Sequence, residues 1–251
     1  MNFRTLAFAL LALLSANAHA AIALVNSASE TTDNYTTDAT AVVTVPATTI
    51  GNLVVVVVQY ASVNRTVSSV TGGATYASLH RHVDSNGGES GVLEIFAGVA
   101  TSSVTSITVV LSGNDAFGGS SRTTALEFSG ATATEIGTSV DQEVTSATAF
   151  TLGSITPSTT DTVFVVGIFL GGNPGTWTED SDFTTAFSSN TGRVVYRIQN
   201  ANSTAQDYTP SWTTTRNAQA VMVALGSAAA GGTIVNPLSR RGGAAAHPIT
   251  H

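Results

Sequence analysis

GNLVVVVVQYA, residues 51–61, and DTVFVVGIFL, residues 161–170, decide the fold. Both are short apolar runs rich in β-branched residues, bounded by Gly, Asn, Pro or Asp. Val and Ile are stiff at χ1 and fit the pleated surface of a sheet better than the crowded turns of a helix. Both runs are also too short for a buried helix, so each predicts a strand at the centre of a sheet. Neither run alternates between apolar and polar residues. A strand with one face on the core and one in water should alternate. The outer valines of 54–58 are therefore expected to be shaded by neighbouring Thr and Ser, or covered by a loop, the C-terminal tail or a second copy of the chain.

Working outward, further strands are expected at 22–27, 41–45, 67–70, 76–83, 91–97, 106–111 and 123–128. A polar crossing over 135–149 is followed by strands at 150–155, 183–187, 193–199, 208–213 and 220–225. Turn-forming clusters such as Asn86-Gly87-Gly88 and Gly113-Asn114-Asp115 separate them, at the spacing of a β-sandwich. No stretch outside the first twenty residues holds a helical period. The expected fold is all-β, an antiparallel jelly-roll-like sandwich over residues 21–228.

An internal repeat supports this reading. Tyr76 and Trp177, and Gly91 and Gly192, stand at one offset. The strands that follow those glycines agree in phase: Leu93, Ile95 and Ala97 fall where Val194, Tyr196 and Ile198 fall. Because side chains alternate across a strand, these six are assigned to one inward face. Val92, Glu94 and Phe96, with Arg193, Val195 and Arg197, are assigned outward. Leu126 and Phe128 are matched to Val223 and Leu225. The sandwich is thus expected to consist of two related halves, about 53–130 and 162–228.

The bulk composition narrows the function. Of 251 residues, 43% are hydrophobic, enough for a core, and only 10% are charged, well below the common share. Ser and Thr take the place of charge. All basic residues are Arg, so no lysine chemistry is open to the chain. A formal charge of −7 argues against a nucleic-acid binder, which needs clustered basic residues. With no cysteine, stability must come from the core rather than from disulfides.

The two ends read differently from the middle. Residues 1–20, MNFRTLAFALLALLSANAHA, have an Arg, a short apolar stretch and an Ala-His-Ala end. These are the three parts of a secretory signal peptide, with cleavage expected after Ala20. The apolar stretch is too short to span a bilayer, so no membrane span is expected after cleavage. The expected location is outside the cell, at its surface, or in the periplasm. Residues 229–251 begin as an Ala/Gly linker, and Thr233, Ile234 and Val235 are apolar enough to add as a strand to a sheet edge.

Chemistry has few candidates. His80, His82 and Asp84 alternate along one strand, so two imidazoles and a carboxylate would share a face and suit a transition metal. The His-x-His pair resembles the metal motif of the cupin jelly rolls, which implies a metal-dependent enzyme. Glu89, however, lies too far along, and no third histidine follows within the domain. The acidic runs DSNGGE (84–89) and EDSD (179–182) offer oxygen ligands for calcium. Trp177, Trp212, Tyr76 and Tyr208 are candidates for an aromatic platform that binds sugar rings. Nucleophile-elbow, dinucleotide, zinc-protease and catalytic-cysteine motifs are missing, so no catalytic residue is assigned and no cofactor is required. Asn34, Asn64 and Asn202 lie in glycosylation sequons.

AIALVNSASE at 21–30, GNLVVVVVQYA, and ALEFSG at 125–130 together resemble a loose group of bacterial and phage β-sandwich proteins. That resemblance implies a jelly-roll-like sandwich on a surface or particle, without an assigned function. The expected role is a non-catalytic, secreted or surface-exposed structural or adhesive protein, self-assembling through its tail. Its partners would be further copies of itself or a surface polysaccharide. A carbohydrate-binding module is the alternative.

Overall fold

The computed structural model describes residues 21–30, 39–60, 63–84, 91–112 and 121–228, and every regular element in them is a strand. The first eight are β1 (Ala23–Glu30), β2 (Thr40–Thr44), β3 (Leu53–Tyr60), β4 (Val67–Thr71), β5 (Ala77–Val83), β6 (Val92–Val99), β7 (Ser106–Leu111) and β8 (Arg122–Ser129). β9 (Ala131–Glu135) leads into a second set. These are β10 (Val140–Ala149), β11 (Leu152–Ile155), β12 (Thr162–Leu170), β13 (Trp177–Thr178), β14 (Thr184–Ser188), β15 (Gly192–Gln199), β16 (Gln206–Tyr208) and β17 (Ser211–Ser227).

The two sets pair in the same order. In the first, antiparallel strands run β1-β8-β3-β6-β5 in one sheet and β2-β7-β4 in another. In the second they run β10-β17-β12-β15-β14, with β11-β16 beside them. Advancing every label of the first long sheet by nine gives the second. Each set has the interleaved order of a jelly roll, and the chain is an antiparallel β-sandwich protein. The repeated order reaches back to β1 and β10, further than the sequence repeat.

The valine strands explain why two long sheets exist. Val55 and Val57 of β3, with Leu93 and Ile95 of β6, meet Val163 and Val165 of β12 and Val221 and Val223 of β17 in one core between the long sheets. Val54, Val56 and Val58 face the other way and are buried under Ala41, Val43, Ile107 and Val109 of the small sheet. On the far side, Phe164, Val166 and Ile168 lie under Phe150, Leu152, Ile155 and Tyr208. Both central strands are therefore buried on both faces, and strands of the same chain cover them. The cover is not the Thr and Ser neighbours expected from the sequence, nor a second copy.

The six residues assigned inward all lie in or against the core between the long sheets. Those assigned outward face the second layer. There Val92 and Phe96 are buried in one half and Val195 in the other. One correspondence shifts. Val55 pairs with Ala97 and Leu126, whereas Val163 pairs with Ile198 and Leu225. Leu126 therefore matches Leu225 rather than Val223. The slip is of two residues, so the face assignment survives it.

The polar crossing expected over 135–149 is corrected: most of it is β10, paired with β17 from Val140↔Met222 to Ala149↔Ser211. The strands expected at 208–213 and 220–225 become a short β16 and a single long β17.

Glycine lets the halves approach. Gly167 lies mid-strand in β12, where a Cβ would come within 2.8 Å of Val57 Cγ1 and 2.9 Å of Leu93 Cδ1 across the interface. The repeated glycines behave alike. A Cβ on Gly91 would strike the Phe169 ring and Gln219, and one on Gly192 would strike the Gln59 amide. Both stand where a side chain of the other half presses on the backbone. Gln59 Nε2 donates to the Ile168 carbonyl, and Ile22 N donates to Asn200 Oδ1 at 3.1 Å, adding polar ties across the joint.

Candidate functional site

β5 is an edge strand of the first long sheet. A bulge between Ser78 and His80 sets its phase. His80 and His82 then stand opposite Ile95 and Leu93, on the face toward the second half, while Arg81 stands opposite Glu94 on the other face. β10 supplies what they meet. Val140 and Val144 pack on the outer core, which leaves Asp141 and Glu143 on the opposite face by strand alternation.

The carboxylate of Asp141 sits between the two imidazoles. Its Oδ1 is 3.1 Å from His80 Nε2 and its Oδ2 is 2.7 Å from His82 Nδ1. The far nitrogens also face polar atoms. His80 Nδ1 is 2.7 Å from Ser139 Oγ. His82 Nε2 is buried and 3.7 Å from Glu143 Oε2, too long for a hydrogen bond. The side chain of His82 is 13% exposed and that of Asp141 40%, so the cluster opens to solvent on one side.

The expected triad of His80, His82 and Asp84 is thus revised. Asp84 lines a small recess with Glu143, Phe169 and Gln219, with room for about one water molecule. The carboxylate that reaches both rings is Asp141, from the stretch taken for a crossing. Among the described residues, no three His, Asp or Glu side chains close round a common point as ligands of a bound ion would.

The four aromatics do not form a platform. Tyr208 is fully buried and Trp212 is 4% exposed. Trp177 stacks on Trp212 at 5.1 Å between ring centroids and 5° between planes, and the Arg193 guanidinium lies 4.6 Å from its ring centroid. Stacked rings bury the face that a sugar would need. Tyr76 belongs to the other half, where it packs on the first outer core and donates to the Gly72 carbonyl. Burial pushes its phenol up to about 12.

The acidic run at 179–182 is turned to protein donors. Tyr208 OH donates to Glu179, and Thr185 Oγ1 donates to its other oxygen at 3.0 Å. Burial, with the Glu179 carboxylate beside it, pushes Tyr208 well above its ordinary range and keeps it a donor. Asp180 accepts from the backbone N–H groups of Thr209 and Asp182, and Asp182 pairs with Arg197. Residues 85–89 of the other acidic run, and Thr233, Ile234 and Val235, lie outside the described residues.

Two buried carboxylates went unread in the sequence. Glu127, 4% exposed, accepts from Thr49 N at 2.8 Å, Asn52 Nδ2 at 2.6 Å and Asn26 Nδ2 at 3.1 Å. Burial alone raises it, but these bonds together outweigh burial and hold it below the ordinary carboxylate range. Glu94, 6% exposed, accepts from Ser78 at 2.7 Å and has Arg81 Nε at 3.8 Å; burial raises it. The signal for both was a lone charge inside an apolar strand, in ALEFSG and VLEIF.

Compared with known proteins, the chain matches no family model, no curated protein and no solved structure.

Proposed function

We propose that this chain is an exported, non-catalytic structural or adhesive module that presents a rigid stack of β-sheets at a surface. The observation that carries the reading is how its reactive side chains are used. The imidazoles and carboxylates of the best-formed polar clusters join strand to strand: His80 and His82 to Asp141 across the two halves, Glu127 to the 49–52 turn and β1, Glu179 to β16. A chain with no cysteine and few charges that must last outside a cell needs such internal fastening. The leader-like residues 1–20 and the Ser/Thr-rich polar faces support export and surface contact. Self-assembly is assigned to the tail, because strands of the same chain already cover the valine faces.

Light scattering and negative-stain microscopy test this, on residues 21–251 beside a version ending at Ala228. The expected outcome is filaments, closed oligomers or a surface coat from the longer chain and monomers from the shorter. Two monomers, with no retention on cell-wall or polysaccharide supports, would contradict it.

A further inference from the structure

We propose that His80, His82 and Asp141 form a binding site for a zinc-class divalent metal, which joins the two jelly rolls. The site goes beyond the structural role and does not depend on it. Two imidazoles and one carboxylate are a common ligand set for such ions. Here they come from β5 of one half and β10 of the other, so a bound ion would bridge the joint.

The geometry has the two features that separate a ligand set from a chance polar cluster. The first is convergence: His80 Nε2 and His82 Nδ1 both face the one carboxylate, at 3.1 and 2.7 Å. With metal bonds near 2 Å, neighbouring ligand atoms of a tetrahedral shell stand about 3.3 Å apart. Without an ion, the carboxylate takes a hydrogen bond at each ring, and these bonds would give way to the metal with release of protons.

The second feature lies behind the rings. A metal-bound imidazole almost always has a partner on its other nitrogen, which fixes ring and tautomer. His80 Nδ1 has Ser139 Oγ at 2.7 Å. The buried His82 Nε2 has no hydrogen bond and faces Glu143 Oε2 at 3.7 Å, so a small closure of Glu143 would complete that arrangement. The partly exposed Asp141 leaves a path for the ion and room for water at the remaining positions.

The test is calorimetric titration of zinc chloride into the purified, EDTA-stripped and dialysed chain, with the visible spectrum of its cobalt complex as a second readout. Expected are one ion per chain, four- or five-coordinate cobalt bands and a higher melting temperature with zinc. Asp141→Asn and His80→Ala should each weaken zinc binding at least about 100-fold, and Glu143→Gln by about 10- to 100-fold. Asp84→Asn and the double change His247→Ala with His251→Ala should leave it unchanged. No stoichiometric uptake, or binding that follows Asp84 or the tail histidines instead of Asp141, would overturn the site. Should Asp141→Asn fail to fold by circular dichroism, Glu143→Gln and the cobalt spectrum decide.

Discussion

Glu94 and Glu127 occupy adjacent strands of the first long sheet and respond to acid in opposite ways. The bonds on Glu127 favour its charged form. Its contribution is therefore present above the ordinary Glu range and lost as pH falls through its depressed value. Glu94 is raised by burial. Between the ordinary Glu range and that raised value the folded chain holds a proton the unfolded chain has released, so stability falls as pH rises through this window. Urea unfolding should show Glu127→Gln losing about 1–3 kcal/mol at pH 7, because three donors lose a charged acceptor, with a smaller deficit near pH 4. Glu94→Gln should be as stable as the parent at pH 7, or more so; a large loss there would mean that the Arg81 contact outweighs burial. Such roles are barely legible in sequence. A lone Glu in an apolar strand signals a buried carboxylate, but only the folded neighbours settle whether bonds or desolvation win.

At the scale of elements, apolar strands were legible and polar ones were not. The bounds of β3 and β7 follow directly from their sequences, because β-branched runs ended by Gly, Asn and Ser leave little choice. β10 reads VDQEVTSATA and hides its alternation, since both its faces carry polar residues. Val140 and Val144 mark one face, while Asp141 and Glu143 on the other face pair with β5 instead of greeting solvent. That is why half of the candidate site was found and half missed. The role of Gly167 was equally hidden: only the second sheet shows why a central strand needs a residue without Cβ. Gly167→Ala should cost about 1–3 kcal/mol through overpacking against Val57 and Leu93. Gly153→Ala in β11, whose nearest new contact would be Val140 at an ordinary 3.6 Å, should stay within about 0.5 kcal/mol. Equal losses in thermal melts would show that the halves do not press together at Gly167.

For the whole molecule, the non-alternating valines were the informative clue, and their explanation required counting layers. A plain two-layer sandwich leaves one face of each sheet in water. This chain stacks its long sheets on each other and covers each outer face with smaller strands of its own, so valine serves on both sides. Because the two halves share the central core, they should unfold together. Val165→Ala, at a fully buried position in that core, should cost about 2–4 kcal/mol and shift one cooperative transition seen alike by fluorescence and circular dichroism. Two separated transitions would make the halves independent.

The absence of native cysteine makes the layering directly measurable by thiol labelling of single-cysteine variants. Val55→Cys probes the core between the long sheets, Val56→Cys the face under the small sheet, and Val42→Cys a position 46% exposed. In a dilute sample shown by light scattering to be monomeric, Val42→Cys should label at once. Val55→Cys and Val56→Cys should both react only through unfolding. Rapid labelling at Val56→Cys beside protection at Val55→Cys would mean that the outer valines of β3 are open in the single chain, and would contradict the stacked architecture.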